Sequence, residues 1–265
     1  MTTTTTHAPG TFCWLDLAAH DPAAAKRFYT QLFGWEATDN QYGPGADDVY
    51  TMYRLSGKDT AASYGMDPNQ KEMGIASAWL CYVAVESADA GAAKARDLGG
   101  TVMAEPFDVM DVGRMALVED PTGALFALWQ AASHAGVGVR DEPGSVGWVE
   151  LATKDTGKAG DFYMRLFGWT GQTMNTGMDY TVFHASGAMV GGMYAIKPEM
   201  EGMPPGWMPY FVAADIDVSV VRAKELGGTL LHGPVEVPNV GRMALIQDPQ
   251  GAMFYLITYA APQGS

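Results

Sequence analysis

The 265-residue chain is poor in basic side chains: Lys and Arg number 16 against 30 Asp and Glu, a formal net charge of −14. That balance argues against a nucleic-acid partner, since nothing in the chain could neutralise a run of phosphates. Cysteine is almost absent. Cys13 and Cys81 are too few for a disulfide scaffold, so a cytoplasmic, reducing compartment is expected. No apolar run approaches the roughly 20 residues a membrane helix needs, so no membrane association is expected. The opening "MTTTTTHAPG" has neither the cationic start nor the apolar core of a signal peptide. Charged residues make up only 17% against 48% hydrophobic, which excludes long disordered tracts. Histidine is scarce too, at five, and that limits any metal site.

What the chain does have is a repeat. "FCWLDLAAHDPAAAKRFYTQLFGW" (12–35) matches "VGWVELATKDTGKAGDFYMRLFGW" (146–169) at 11 of 24 positions, with Asp21 aligned to Asp155. "VGRMALVEDPTGALF" (112–126) matches "VGRMALIQDPQGAMF" (240–254) at 11 of 15. The repeat length of roughly 120 residues is far above solenoid periods and marks a duplicated domain. The Gly- and Ser-rich "SHAGVGVRDEPGS" (133–145) reads as a linker. The expected domains are 10–131 and 145–260, joined by 132–144.

Each copy has one internal rhythm. "FCWLDLAA" alternates as a strand does. "DPAAAKRFYTQLFG" then offers an Asp N-cap, Pro at the first helical position, the apolar stripe Ala25, Phe28, Tyr29 and Leu32, and a closing Gly. Strand-like "VYTMYRLSG" and "AASYGM" follow. Next come "AWLCYVAVE", the helix "DAGAAKARDLGG", and three strands in "TVMAEPFDV", "GRMALVED" and "ALFALWQ". Four strand–helix–three-strand modules therefore fill the chain. Each leaves an apolar sheet face that must be covered, so modules must pair.

These modules, with "DPAAAKRFYTQLFGW", the "LGGTV" turn and the "GRMALVEDPTG" hairpin, resemble the vicinal oxygen chelate superfamily over nearly the whole chain, Gly10 to Ala260. That superfamily includes glyoxalase I, extradiol dioxygenases, fosfomycin-resistance enzymes and bleomycin-binding proteins. The resemblance implies an α+β fold, four βαβββ modules forming two tandem glyoxalase-like domains with curved, cup-shaped mixed sheets. It also implies ligand positions on the first strand, the second or third, the fifth and the last, all facing into each cup. Here the first-strand positions hold Trp14 and Trp148, and the last-strand positions Ala127 and Tyr255. The fifth-strand positions fall near Trp79 or Leu80 in one copy and Trp207 or Met208 in the other. Indole and methyl groups cannot ligate a divalent cation. No metal and no other cofactor is expected.

His184 is the one histidine on a candidate ligand strand. Its counterpart is Arg54, and Glu150 with Tyr255 could join it in a metal-dependent alternative. Strand alternation sets Asp16 beside Trp14 and Glu150 beside Trp148, so each cup would present an indole and a carboxylate. A carboxylate on such an apolar wall would have a raised pKa unless paired, as a general base or a hydrogen-bond anchor would. A structural acid bonding a buried Tyr hydroxyl fits the same pattern. Asp16 and Glu150 are thus the candidate catalytic pair, with Trp14, Trp148, Arg54, Trp79, His184, Trp207, Tyr255 and Ala127 as ligand-binding candidates.

Other motifs carry less. Arg114 and Arg242, in "VGRMAL", could hold an anion but are expected to pair with Asp111 and Glu236. "DPTG" and "DPQG" are type I turn chemistry. "GMPPGWMPY" (202–210) reads as a loop entering the fifth strand, and Cys81 as core. The sequence therefore supports two readings. One is a metal-independent protein, a monomer or weak homodimer, that binds a small apolar or aromatic molecule, with isomerase, lyase or hydroxylase-type chemistry open to it. The other is a divergent metal-dependent glyoxalase-like lyase or dioxygenase.

Overall fold

The structure is a computed structural model and describes residues 7–45, 48–175, 179–200 and 202–260. The first copy opens with β1 (Phe12–Ala19), α1 (Pro22–Phe33), β2 (Glu36–Gln41), β3 (Val49–Leu55) and β4 (Lys58–Gly65). A short α2 (Pro68–Glu72) leads into β5 (Ala78–Ala84), α3 (Ala88–Asp97), β6 (Thr101–Val109), β7 (Gly113–Glu119) and β8 (Leu125–Ala131). The second copy repeats the order as β9 (Val146–Thr153), α4 (Thr156–Phe167), β10 (Thr170–Asn175), β11 (Asp179–Ala185) and β12 (Ala188–Ala195). It then continues through β13 (Gly206–Val212), α5 (Ile216–Glu225), β14 (Thr229–Val237), β15 (Gly241–Gln247) and β16 (Met253–Tyr259).

The strands form two mixed eight-stranded sheets, ordered β2-β3-β4-β1-β5-β8-β7-β6 and β10-β11-β12-β9-β13-β16-β15-β14. Hairpin neighbours are antiparallel, whereas β1–β4, β5–β8, β9–β12 and β13–β16 are parallel. The fold is α+β with the βαβββ module written four times, as the repeat predicts. The strand that the sequence pattern does not announce is β2 (Glu36–Gln41). Its six residues, Glu-Ala-Thr-Asp-Asn-Gln, are all exposed. An edge strand solvated on both faces carries no apolar alternation to read.

Local chemistry sets the helix ends. The Asp21 side chain accepts from Ala24 N at 2.9 Å, Pro22 opens α1, and Gly34 closes it in the left-handed region. Asp155 caps α4 in the same way through Lys158 N. Ala25, Phe28 and Tyr29 of α1 are buried and Leu32 is half-buried. Among the described residues, no helix is long and apolar enough to cross a membrane.

The chain divides into two compact units, and each draws on both repeats. The first contains the chain up to Trp14, Leu80–Gly136 and Trp148–Met208. The second contains Leu15–Trp79, Val137–Gly147 and the chain from Pro209 onward. The core of the first unit is aromatic. Tyr163 of α4 meets Phe126 of β8 at 5.4 Å and Trp207 at 5.1 Å between ring centroids. In the second, Tyr29 of α1 meets Phe254 of β16 at 5.7 Å and Trp79 at 5.1 Å. Each such ring contributes about 2–3 kcal/mol by burial, so helices of one repeat are anchored to strands of the other. Part of the expected linker is structured within the second unit. Gly138 N donates to Asp59 O at 2.7 Å, Trp35 Nε1 to Gly144 O at 2.7 Å, and Gly144 N to Val212 O at 2.8 Å.

Candidate functional site

In the second copy, β9 carries Trp148, Glu150 and Ala152 on one face. Pairing with β12 sets Gly192 beside Glu150 and Tyr194 beside Ala152, and β11 brings Tyr180 beside Tyr194. The Trp148 indole N–H donates to Tyr180 Oη at 2.8 Å. The Tyr180 hydroxyl is in turn bonded to the Glu150 carboxylate. Burial first, and then the Glu150 charge, pushes the Tyr180 hydroxyl far above its ordinary value, so its proton remains available for donation. Tyr194 Oη lies 3.5 Å from Met203 Sδ. Glu150 is only 6% exposed, while Trp148 is half-buried. A relay of Trp, Tyr and Glu therefore lines this face, wholly inside the first compact unit.

The first copy has the same residue classes at the matching positions. In the second unit, Asp16 of β1 faces Ala62 of β4, and Tyr50 of β3 faces Tyr64. Tyr50 Oη stands 3.4 Å from Asp16 Oδ2. Burial, followed by the Asp16 charge, also raises the Tyr64 hydroxyl. In the first unit, Trp14 is 3% exposed, and the His134 ring stands edge-on to it at 4.5 Å and 86°. Two backbone contacts hold that imidazole: His134 N donates to Val112 O at 3.1 Å, and Trp129 Nε1 donates to His134 O at 3.0 Å.

The remaining candidates are scattered. Ala127 is fully buried beside Tyr82 in the β5–β8 pairing. Tyr255 stacks on Tyr210 at 4.2 Å and 9°. Trp79 and Trp207 do not join the acids: Trp79 Nε1 donates to Tyr29 Oη at 3.1 Å and Trp207 Nε1 to Tyr163 Oη at 2.8 Å, inside the helix-covered cores. The cause is parity. Trp79 and Tyr82 are three residues apart on β5, so they point to opposite faces. Arg54 is an exposed partner of Asp59 at 2.8 Å. His184 is half-buried at a bulge in β11, opposite Thr170 and Met189.

Two expectations need correction. Arg114 pairs with Asp89, at 2.7 and 2.9 Å, and with Asp108 at 2.9 Å, in place of Asp111. Arg242 pairs with Asp217 at 2.6 and 3.0 Å, in place of Glu236. Both partners Asp89 and Asp217 sit in the first turn of a helix, where an acid is already favoured. The "DPTG" and "DPQG" turns also do more than turn. Asp248 accepts from Gln250 N and Ala252 N and from Tyr29 Oη at 3.0 Å, and Asp120 holds the equivalent turn and bonds Tyr163.

The sequence reading passed over Tyr50, Tyr64, Tyr180, Tyr194 and Gly192. A signal existed: at an offset of 130, Tyr50 aligns with Tyr180 and Tyr64 with Tyr194. A metal ion finds no matching donor set. The first- and last-strand positions offer indole, methyl and phenol groups, and among the described residues no three His, Cys, Asp or Glu side chains gather to hold one.

Both copies match the sequence profile of the glyoxalase/bleomycin resistance protein/dioxygenase superfamily, over residues 11–128 and 145–256, and the chain belongs to that family. It is 41% identical over 256 residues to "Putative glyoxylase CFP32" of Mycobacterium tuberculosis (strain CDC 1551 / Oshkosh), covering 96% of this chain and 97% of that one. It is 38% identical over 266 residues to anthracycline biosynthesis protein DnrV of Streptomyces peucetius, covering 96% and 94%. Among solved structures, the Mn(II)-bound glyoxalase from Novosphingobium aromaticivorans superposes with a TM-score of 0.63 at 15% identity, over 96% of this chain and 86% of that one. An extradiol ring-cleaving dioxygenase from B. fuscum gives 0.65 at 16%, over 98% and 75%. At such identities the two structures share only the fold.

Proposed function

We propose that this chain binds a small, largely apolar or aromatic metabolite of secondary metabolism on the acid-bearing faces of its repeats, without a metal ion. One observation carries the reading: each copy buries a carboxylate against tyrosine, Glu150 with Tyr180 and Asp16 with Tyr50. Such an arrangement suits a ligand with an apolar body and one polar edge. The 38% identity to an anthracycline biosynthesis protein supports a planar aromatic ligand, and the poor donor set supports metal independence.

Chemistry is open to the same carboxylates. On a ligand with an acidic C–H beside a carbonyl, Glu150 or Asp16 takes the proton while the electron pair moves into the carbonyl. Return of the proton at a second carbon gives an isomer. The reading includes a cytoplasmic monomer or weak homodimer with no nucleic-acid partner, which the net charge of −14 supports.

The test is a tryptophan-fluorescence titration of chelator-dialysed protein with a hydroxyanthraquinone. Saturable quenching that survives chelation is expected. One metal ion per chain, lost together with binding on chelation or on His184→Ala, would overturn the reading in favour of a metal-dependent lyase or dioxygenase.

A further inference from the structure

In the β3–β4 pairing, Tyr53 faces Ala61 and Arg54 faces Asp59, so Thr60 is the extra residue of a β-bulge. Two residues further along, Ala62 lies beside Asp16 of β1. Alternation along β4 therefore sets Thr60 on the acid-bearing face of the first copy, within the second compact unit. The residue is fully buried, and its Oγ1 meets no hydrogen-bond partner among the described residues. Such a group costs free energy, because the hydroxyl has left water and gained nothing in return. Packing does not require it. The second copy has the same bulge, with Phe183 facing Gly191 and His184 facing Met189, and there the extra residue is Val190. Valine fills nearly the same space with no polar atom.

We infer that Thr60 is a ligand-binding residue of the first copy, whose hydroxyl donates to a carbonyl oxygen on the planar aromatic ligand. This inference rests on the proposed function and names the polar group that the first copy recognises. A threonine hydroxyl has one hydrogen to give, and a ketone or quinone oxygen has only lone pairs to offer. The match also fits the chemistry open to Asp16. As Asp16 takes the proton from the carbon beside the carbonyl, the C–H pair becomes a C=C bond and the carbonyl π pair moves onto oxygen. The Thr60 O–H donates to that oxygen and keeps its own proton, so it stabilises the developing charge. When the proton passes from Asp16 to a second, conjugated carbon, the carbonyl re-forms. Val190 has no hydrogen to donate, so at this position the second copy treats ketone and hydrocarbon alike. Because Thr60 is fully covered, neighbouring side chains must part before a carbonyl reaches it, and association is slower than rigid docking.

The experiment uses the full chain and two planar tricyclic probes, fluorenone and fluorene, which differ only in a carbonyl. Equilibrium dialysis should show fluorenone bound about fivefold more tightly, as one neutral hydrogen bond allows. In the infrared, the carbonyl stretch of bound fluorenone should move to lower frequency. Thr60→Val should bring fluorenone down to the affinity of fluorene and remove that shift, with fluorene itself changed by less than about twofold. Thr60→Ser, which keeps the hydroxyl, should behave as the parent does. Thr60→Val should also melt at or above the parent, since an unsatisfied group gives way to an apolar one. Equal affinity of the parent for the two probes, unchanged fluorenone binding by Thr60→Val, or a Thr60→Val chain that melts lower or fails to fold would overturn the inference and leave the proposed function standing. No binding of either probe would overturn both.

Discussion

Tyr29 donates its hydroxyl hydrogen to the Asp248 carboxylate at 3.0 Å across 219 residues of sequence, and the Trp79 indole N–H donates into the same hydroxyl oxygen at 3.1 Å. All three side chains are buried. The hydroxyl thus ties α1 of the first repeat to the last hairpin of the second, inside one compact unit. Removing it strands an acceptor and a donor together, so Tyr29→Phe should cost about 2–4 kcal/mol in urea unfolding, although no ring contact is lost. A change below about 0.5 kcal/mol would count against the relay as a stabilising element.

The same aspartate sets a pH dependence. Burial, only partly offset by the hydrogen bonds it accepts, raises the Asp248 pKa above its ordinary 3.8. A raised folded-state value means that this group disfavours the folded state at neutral pH and ceases to do so once protonated. Relative to Asp248→Asn, the parent chain should therefore gain stability as pH falls from 7 toward 4. Thermal melts of the pair across that range check the sign. Asp39, held low chiefly by its hydrogen bond from Lys26, runs the other way and loses its contribution only as pH drops below about 3.8.

A chain cut between Gly136 and Val137 should stay together. Residues 80–136 share a compact unit with 148–208, and the segment after the cut is bonded to Asp59 and Trp35. Separately expressed halves, 1–136 and 137–265, should co-elute when mixed, and either half alone should lack the near-ultraviolet signal of packed tryptophans. Two halves that each fold alone and elute independently would refute this.

Arg114 is a poor anion anchor for a physical reason: Asp89 and Asp108 already pair with its guanidinium. Arg114→Ala should leave hydroxyanthraquinone affinity within twofold of the parent at low and at high salt. A tenfold loss would return Arg114 to the site.

Much of this protein could be read from the chain itself. Identities at Asp21, Phe28, Tyr29, Gly34 and Trp35 with their counterparts 134 residues on reveal the duplication. Caps and period reveal α1 and α4, because N-cap acids, Pro and Gly act within one turn and need no distant partner. The metal-poor ligand positions were equally plain, since a tryptophan cannot become a ligand in any fold. Alternation along a single strand was enough to place Trp148 and Glu150 on one face.

What lay beyond the sequence depended on which strands become neighbours. The relay through Tyr180 exists because β12 pairs with β9 in the register that sets Gly192 beside Glu150 while β11 pairs with β12 to bring Tyr180 across, and no local rule specifies those pairings. Trp79 and Trp207 look like site residues until helices of the opposite repeat claim them for the core. His134, an ordinary loop residue in sequence, meets Trp14 only once its segment folds back. Helix caps and alternation are short-range and survive in any context. Hydrogen bonds and ring contacts between residues 30 to 220 positions apart form only when the sheets close.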